Sequence, residues 1–212
     1  MHVLFDLDGT LIDTHALYAA SYRGAMAELL ETPPTYEEMM GLRPASEREF
    51  LLRWKGPELG DRLHRRMLEI YTERAATLLG GFFDGVPELL VALRDRGIRT
   101  GIVTGKSRAA YDVTATQLPL EGFETVVYED DVEHPKPDPE GIHIALERMG
   151  LEPSRTLYLG DTPMDAEAAA AAGVQPVAAL WCRPEADRAR VVERLSPEVW
   201  ALSEPRELLA RL

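Results

Sequence analysis

The sequence of 212 residues contains a single cysteine, Cys182, which excludes a disulfide framework or a Cys/His metal cluster. No apolar run approaches the roughly 20 residues that a membrane helix needs. The first residues carry no basic region and reach an acid at Asp6, so they do not resemble a secretory signal. We therefore expect a soluble cytoplasmic protein in which Cys182 is a small buried or half-buried side chain.

Basic residues are also scarce, because 23 Lys and Arg stand against 36 Asp and Glu and give a net charge of −13. This charge opposes binding to nucleic acid or to anionic membranes, and we expect neither as a partner. Lysine occurs only at positions 55, 106 and 136. An anionic substrate would therefore need a local positive site. The composition leaves both a monomer and a homodimer open.

Short aliphatic runs alternate with helical patterns, which predicts a doubly wound α/β sheet. The runs expected to form parallel strands are Val3–Phe5, Arg99–Val103, Thr125–Val127, Thr156–Leu159 and Val177–Leu180. The helix candidates are Pro87–Arg96, Ser107–Gln117, Pro139–Met149 and Pro163–Ala172. The pattern does not give the order of the strands.

Residues 14–83 interrupt this alternation. Helical spacing over Ala16–Leu30 and Leu59–Leu79, with no strand signal, predicts an all-α domain inserted after the first strand. The glycine-rich residues 80–85 are expected to be a flexible return to the core. The predicted domains are thus a core of residues 1–13 and 84–212 and an insert of residues 14–83.

The first candidate site motif is Asp6-Leu7-Asp8-Gly9-Thr10, at the end of the first strand. A period of two directs both carboxylates the same way. Most such pairs are solvated turns or helix caps. This pair is more informative because ligand sites in open α/β sheets lie off the carboxyl ends of the strands.

Two further motifs supply groups that suit a phosphate. Thr104 and the backbone N–H of Gly105 follow another strand, although a turn with a helix cap is the commoner use of such residues. Lys106 falls in the first turn of the next helix, where lysines are usually solvated, and is given no catalytic role. Lys136 lies between prolines that stiffen its backbone, either as a rigid linker or to position an ammonium beside a phosphate.

The fourth motif, Gly160-Asp161-Thr162-Pro163-Met164-Asp165, follows a strand and opens a helix. Helix capping would explain either acid alone. Together with Asp6 and Asp8, however, Asp161 and Asp165 would place up to four negative charges beside a phosphate. Only a hard divalent cation with oxygen ligands makes that tolerable, and Mg²⁺ is the usual partner.

The order of the four motifs, over positions 4–165, resembles the haloacid dehalogenase superfamily, in its branch of phosphoglycolate phosphatases and β-phosphoglucomutases. The resemblance implies a Rossmann-like core with a helical cap, which would be the insert. It also implies a Mg²⁺-dependent phosphatase for a small phosphorylated metabolite, such as phosphoglycolate, a phosphosugar or pyrophosphate.

Residue roles follow from the same resemblance. Asp6 would be the nucleophile that forms an aspartyl-phosphate, and Asp8 the general acid and base. Thr104, Gly105 and Lys136 would hold the phosphoryl group. The implied Mg²⁺ ligands are Asp6, the backbone carbonyl of Asp8, and Asp161, with Asp165 either a weaker ligand or an orienting residue.

Within the cap, Arg43 is expected either to pair with a second anionic group of the substrate or to be solvated. The acid at Asp8 argues against dehalogenation, because dehalogenating relatives lack it. Two other functions stay open: a phosphosugar mutase that transfers the phosphoryl group to a sugar hydroxyl, and a binding or regulatory protein of the same fold without turnover.

Overall fold

The structure is a computed structural model that describes residues 1–42 and 46–212, apart from the side chain of Met40. Its strands are β1 (His2–Phe5), β2 (Ile12–Asp13), β3 (Gly81–Phe82), β4 (Thr100–Val103), β5 (Val126–Val127), β6 (Thr156–Gly160), β7 (Gln175–Ala179) and β8 (Trp200–Leu202). Its α-helices are α1 (His15–Leu29), α2 (Tyr36–Met40), α3 (Arg48–Lys55), α4 (Pro57–Leu78), α5 (Val86–Asp95), α6 (Arg108–Ala115), α7 (Glu140–Met149), α8 (Pro163–Ala171) and α9 (Glu185–Val192).

Among the described residues, the main sheet is parallel with the order β5-β4-β1-β6-β7-β8. Strand β1 lies between β4 and β6, with Val3 opposite both Thr100 and Leu157. The carboxyl ends of these three strands therefore meet at one edge, where the chain switches from one side of β1 to the other. The predicted fold class is confirmed.

Apolar side chains cover both faces of this sheet, as a parallel sheet requires. Val3 and Phe5 of β1 point into a cluster that includes Leu89 of α5. The intervening Leu4 belongs to the cluster on the opposite face, with Ile142 of α7. Because both faces of β1 are buried, the residues that follow it have a fixed starting position.

The predicted strands and helices of the core agree with the structure to within two residues at each end. Strand β8 and helix α9 were not predicted. Strand β3 also contradicts the expectation that residues 14–83 contain no strand and that residues 80–85 are a flexible return. Ile12 pairs with Phe82 in an antiparallel ladder, and a strand of two residues is too short to show a period of two.

Helices α1 to α4 share an apolar cluster that includes Leu17, Met26, Met67 and Ile70 and that Ala110 of α6 joins from the core. Gly56 separates α3 from α4, and Pro57 opens α4 at its first position. The domain boundaries at residues 13/14 and 83/84 stay predictions. None of the helices formed by the described residues is both long enough and apolar enough to cross a bilayer.

A carboxylate of the core holds the start of α3 against the sheet. The side chain of Glu129, which follows β5, accepts hydrogen bonds from the backbone N–H groups of Glu47, Arg48 and Glu49 at 2.7 to 3.1 Å. The N–H groups of Arg48 and Glu49 would otherwise be unpaired at the helix N-terminus, where a negative charge is also favourable. Glu129 therefore ties the insert to the loop beside the sheet edge.

We predict that Glu129→Gln weakens this attachment. An amide keeps one acceptor oxygen and loses the charge, so we expect a loss of about 1–3 kcal/mol in the free energy of unfolding. Hydrogen exchange should become faster at the amides of residues 47–49 and stay unchanged in β1 and β4. Glu121→Gln, at an exposed position, is the control; equal exchange at residues 47–49 in both variants would contradict the prediction.

Candidate active site

The turn after β1 brings Asp6 and Asp8 to the edge of the sheet. Gly9 has φ +80°, and a Cβ there would lie 2.9 Å from Cγ of Asp161. A larger residue at this position would therefore be strained and would collide with the carboxylate that follows β6. Glycine is what allows the loop after β1 to approach Asp161 so closely.

Lys136 is the centre of the buried charges. Its ammonium donates hydrogen bonds to Asp6 Oδ1 at 2.8 Å and Asp165 Oδ1 at 2.6 Å. It also donates to the hydroxyl of Tyr158 at 3.2 Å, and that hydroxyl in turn donates to the carbonyl oxygen of Val103 at 2.8 Å. Tyr158 was not among the predicted site residues, because a tyrosine inside an apolar strand is indistinguishable from an ordinary core residue.

Asp165 is both a helix cap and a partner of Lys136. Its Oδ2 accepts the N–H of Thr162 at 2.9 Å and the hydroxyl of Thr162 at 2.6 Å, which forms a capping box at the start of α8. A Cβ on Gly160 would lie 2.4 Å from Cβ of Asp165. The turn of α8 therefore packs directly on the end of β6 and fixes the Asp165 carboxylate.

The charges at this edge do not balance within the cluster. Burial raises the pKa of Asp6 well above its usual range, an effect that Lys136 opposes and that Asp165 and Asp161 strengthen. Burial and the charge of Asp165 raise the pKa of Asp161 to about 7, against the opposing charge of Arg183. By contrast, burial raises the pKa of Asp165, but Lys136 and the hydrogen bonds from Thr162 together outweigh it and hold this pKa below the usual value.

A cation would relieve this imbalance. Oxygen atoms of Asp6, Asp161 and Asp165 lie within 4.8 Å of one another. Carboxylate oxygens alone are the donor set of a hard divalent cation, whereas zinc sites usually include histidine or cysteine. These residues therefore fit a hard divalent cation.

The structure contradicts the expectation that Lys106 is solvated. Ser107 is the N-cap of α6, so Lys106 precedes the helix instead of lying in its first turn. Its side chain has 0% exposure and donates to Asp8 Oδ1 at 2.9 Å and Oδ2 at 3.1 Å. Burial lowers the pKa of Lys106, but the charge and hydrogen bonds of Asp8, together with Tyr71 and Glu47, raise it more, so the ammonium stays charged.

The remaining predicted residues have different outcomes. Thr104 is buried, and its hydroxyl accepts the backbone N–H of Lys106 at 3.2 Å. The carbonyl of Gly105 accepts the N–H of Glu47 at 3.2 Å, which joins this loop to the insert. Arg43 lies outside the described residues. Cys182 is half-buried, as expected, with its sulfur 3.8 Å from Asp161 Oδ2.

A second polar cluster, of Glu47, His64 and Ser107, lies where the insert meets the core. Glu47 is buried, accepts the Ser107 hydroxyl at 2.6 Å and also accepts the hydroxyl of Tyr18. His64 Nε2 is 3.6 Å from Glu47 Oε2. Sequence reasoning missed this cluster, since its members are far apart in the chain and show no motif.

The chain matches a known family over most of its length. Residues 3–179 fit the pattern described as haloacid dehalogenase-like hydrolase. The chain belongs to that family. A pyrophosphatase, PpaX, of Bacillus velezensis is 34% identical over 195 residues, covering 84% of this chain and 82% of that protein. An N-acetylmuramic acid 6-phosphate phosphatase of Pseudomonas aeruginosa is 35% identical over 183 residues, covering 83% and 80%.

A solved structure of a hydrolase from Pseudomonas syringae shows the same fold, with a TM-score of 0.78 at 22% identity over 99% of this chain and 96% of that one. The predicted family and class, a phosphatase among the haloacid dehalogenase-like hydrolases, are thus confirmed. The roles of individual site residues stay predictions.

We predict that Tyr158→Phe destabilises the protein by about 1 kcal/mol. The substitution removes one hydrogen bond to the Val103 carbonyl and one acceptor for Lys136, both in a buried place. Urea unfolding measures the change. Tyr22→Phe, at a buried tyrosine of α1, is the control. Equal stability of Tyr158→Phe and the wild type would show that this hydroxyl does not support the site.

Proposed function

We propose that this member of the family is a Mg²⁺-dependent phosphatase for a small phosphate ester and that Asp6 is its nucleophile. The observation that carries the proposal is the contact of Lys136 with both Asp6 and Asp165 beside Asp161. The lysine fixes the Asp6 carboxylate, and the acidic cluster suits the cation that a phosphate dianion would share. The relatives, which act on pyrophosphate and on a sugar phosphate by their names, support a small phosphorylated substrate.

Mg²⁺ would be held by Asp6, the backbone carbonyl of Asp8, and Asp161. When bound, it neutralises charge on the phosphoryl oxygens and allows an anionic nucleophile to approach them. Asp165 is the fourth acid of the site. With both of its oxygens engaged by Lys136 and Thr162, its role is to orient Lys136 and to face the cation.

In the proposed reaction, a carboxylate oxygen of Asp6 attacks the phosphorus atom. The O–P bond to Asp6 forms while the P–O bond to the leaving group breaks, and Asp8 gives a proton to the leaving oxygen. Lys136, Thr104 and the N–H of Gly105 hold the phosphoryl oxygens. Water then attacks the phosphorus atom of the aspartyl-phosphate and gives its proton to Asp8. The P–O bond to Asp6 breaks, so phosphate leaves and the Asp6 carboxylate is restored.

The first test is Asp6→Asn, which removes the nucleophile and keeps the size of the side chain. We expect phosphate release from phosphoglycolate or p-nitrophenyl phosphate to fall on the order of 1,000-fold or more in kcat. Asp187→Asn, on the exposed surface of α9, should be unchanged. Full activity of Asp6→Asn would refute the mechanism.

Conversion of β-glucose 1-phosphate to glucose 6-phosphate without phosphate release would instead indicate a mutase.

The second test concerns the cation. Mg²⁺ at about 100 times its Kd should stabilise the wild type by about 2.7 kcal/mol. It should not stabilise Asp161→Asn comparably, because that variant lacks a ligand. Thermal unfolding with EDTA or with Mg²⁺ measures the difference, and Asp187→Asn again serves as the control.

The same experiment has a pH dependence with a defined sign. In EDTA the raised pKa of Asp161, about 7, means that the folded state binds more protons than the unfolded state between about pH 4 and 7. Stability should therefore fall as the pH rises through this range, by up to about 1.36 kcal/mol per unit. Asp161→Asn should reduce this slope, with the raised pKa of Asp6 accounting for what is left, and should be at least as stable as the wild type at pH 8 in EDTA. A wild-type advantage there would contradict the argument.

A further inference from the structure

Lys106 is a buried cation to which the reaction proposed above assigns no step. Its ammonium makes hydrogen bonds with both oxygens of Asp8 and with the hydroxyl of Tyr18, the last at 2.6 Å. The rings of Tyr18 and Tyr71 enclose it, with their centroids 4.3 and 4.8 Å from Nζ. Both tyrosines belong to the insert, so Lys106 lies between Asp8 and the insert.

The two lysines contact different acids of the site. Lys136 contacts Asp6 and Asp165, on the side where the phosphoryl group is accepted. Lys106 contacts Asp8, on the side where the proposed reaction expels the leaving group. A leaving oxygen that receives a proton from Asp8 must lie within hydrogen-bond distance of it, and so the rest of the leaving group comes close to Lys106.

In the proposed reaction Asp8 contacts the leaving oxygen, and this contact changes the ion pair between Asp8 and Lys106. Both carboxylate oxygens of Asp8 are engaged by the ammonium, but Asp8 must carry a proton when it acts as the acid and is then no longer an anionic partner. A buried ammonium that loses an anionic partner is strongly destabilised unless another anion replaces it. The charge of Glu47 also stabilises the ammonium, but its carboxylate accepts the hydroxyls of Tyr18 and Ser107 instead of a hydrogen bond from Nζ, so it replaces the lost ion pair only in part.

We propose that Lys106 is a specificity-determining residue that selects leaving groups with a negative charge next to the leaving oxygen. This inference rests on the proposed function. The charge is a carboxylate or a second phosphoryl group, placed within a few bonds of the scissile P–O bond. Tyr71 is fully buried and Tyr18 half-buried, so little room is left beside the ammonium, which favours a compact leaving group over a large one.

The test compares substrates that differ only in this charge. Phosphoglycolate and ethyl phosphate have leaving groups of similar size, with and without a carboxylate, and pyrophosphate tests the second phosphoryl group as the source of the charge. We expect the wild type to prefer phosphoglycolate over ethyl phosphate by at least tenfold in kcat/KM. Lys106→Met, which keeps the length of the side chain, should lower this ratio by 10- to 100-fold, whereas Lys106→Arg should retain most of it.

Lys55→Met is the matched control, because Lys55 lies over the ring of Trp54 on α3 instead of at the site. Binding gives a second measurement: in Asp6→Asn, with Mg²⁺, the ratio of the Kd values for ethyl phosphate and phosphoglycolate should fall when Lys106→Met is added. If Lys106→Met lowers the preference for pyrophosphate over ethyl phosphate but not the preference for phosphoglycolate, the charge that Lys106 recognises is that of a phosphoryl group alone.

The outcomes separate this inference from the proposed function. The role of Lys106 would be overturned if the wild type released phosphate without preferring phosphoglycolate over ethyl phosphate. It would also be overturned if Lys106→Met lost kcat/KM equally for all substrates. Either result would leave the phosphatase proposal standing. The equal losses would mean that the lysine only positions Asp8. Absence of phosphate release from every ester would refute the proposed function itself. If Lys106→Met does not fold, the wild-type preference and Lys106→Arg still decide the question.

Discussion

The repulsion between buried carboxylates at one edge of the sheet is the constraint on which the rest of the site depends. Asp6, Asp161 and Asp165 approach one another within 4.8 Å, and such a cluster is stable only if positive charge is brought to it. Lys136 supplies part of that charge through two hydrogen bonds, to Asp6 and to Asp165. Burial, and then the neighbouring carboxylates, raise the pKa values of Asp6 and Asp161 despite Lys136 and Arg183, so a further cation would stabilise the charged forms of both acids.

The backbone is shaped to make this crowding possible. Gly9 and Gly160 each stand where a Cβ would collide with an aspartate, Asp161 in the first case and Asp165 in the second. The two glycines therefore allow the carboxylates to approach closely although their like charges repel one another. A fold that maintains such a cluster gains a strong binding site for a cation, because the binding energy includes relief of the repulsion.

The sequence predicts the part of this architecture that is local. Val3 and Phe5 begin a buried strand, and each motif after a strand end falls on the same edge because parallel strands share a direction. Strand β8 and the pair β2–β3 have two or three residues each, too few to give a periodic signal. Their existence depends on pairing with distant segments, which the sequence does not show.

Contacts between distant segments also explain the errors at the site. Lys106 looks like a surface lysine because the sequence does not show that Tyr18 and Tyr71, from two separate helices, cover it. The N-terminal caps of α8 and α3 also differ in whether the capping residue is close in the sequence. Thr162 and Asp165 form a capping box three residues apart, which is readable in advance. Glu129, in contrast, caps α3 from about 80 residues away, and no local rule predicts it.

The contacts between the insert and the core bear directly on selectivity. Glu129 fixes the start of α3, Gly105 accepts the N–H of Glu47, and the hydroxyl of Tyr18 contacts both Glu47 and Lys106. The group that holds Asp8 is thus itself held by the insert. A change in the position of the insert must then alter the surroundings of Lys106 and Asp8 together, whereas Lys136 depends on the core elements around Tyr158 and Asp165. In the proposed mechanism, phosphoryl acceptance would then depend on the core, and the choice of leaving group on the surface that the insert and the core share.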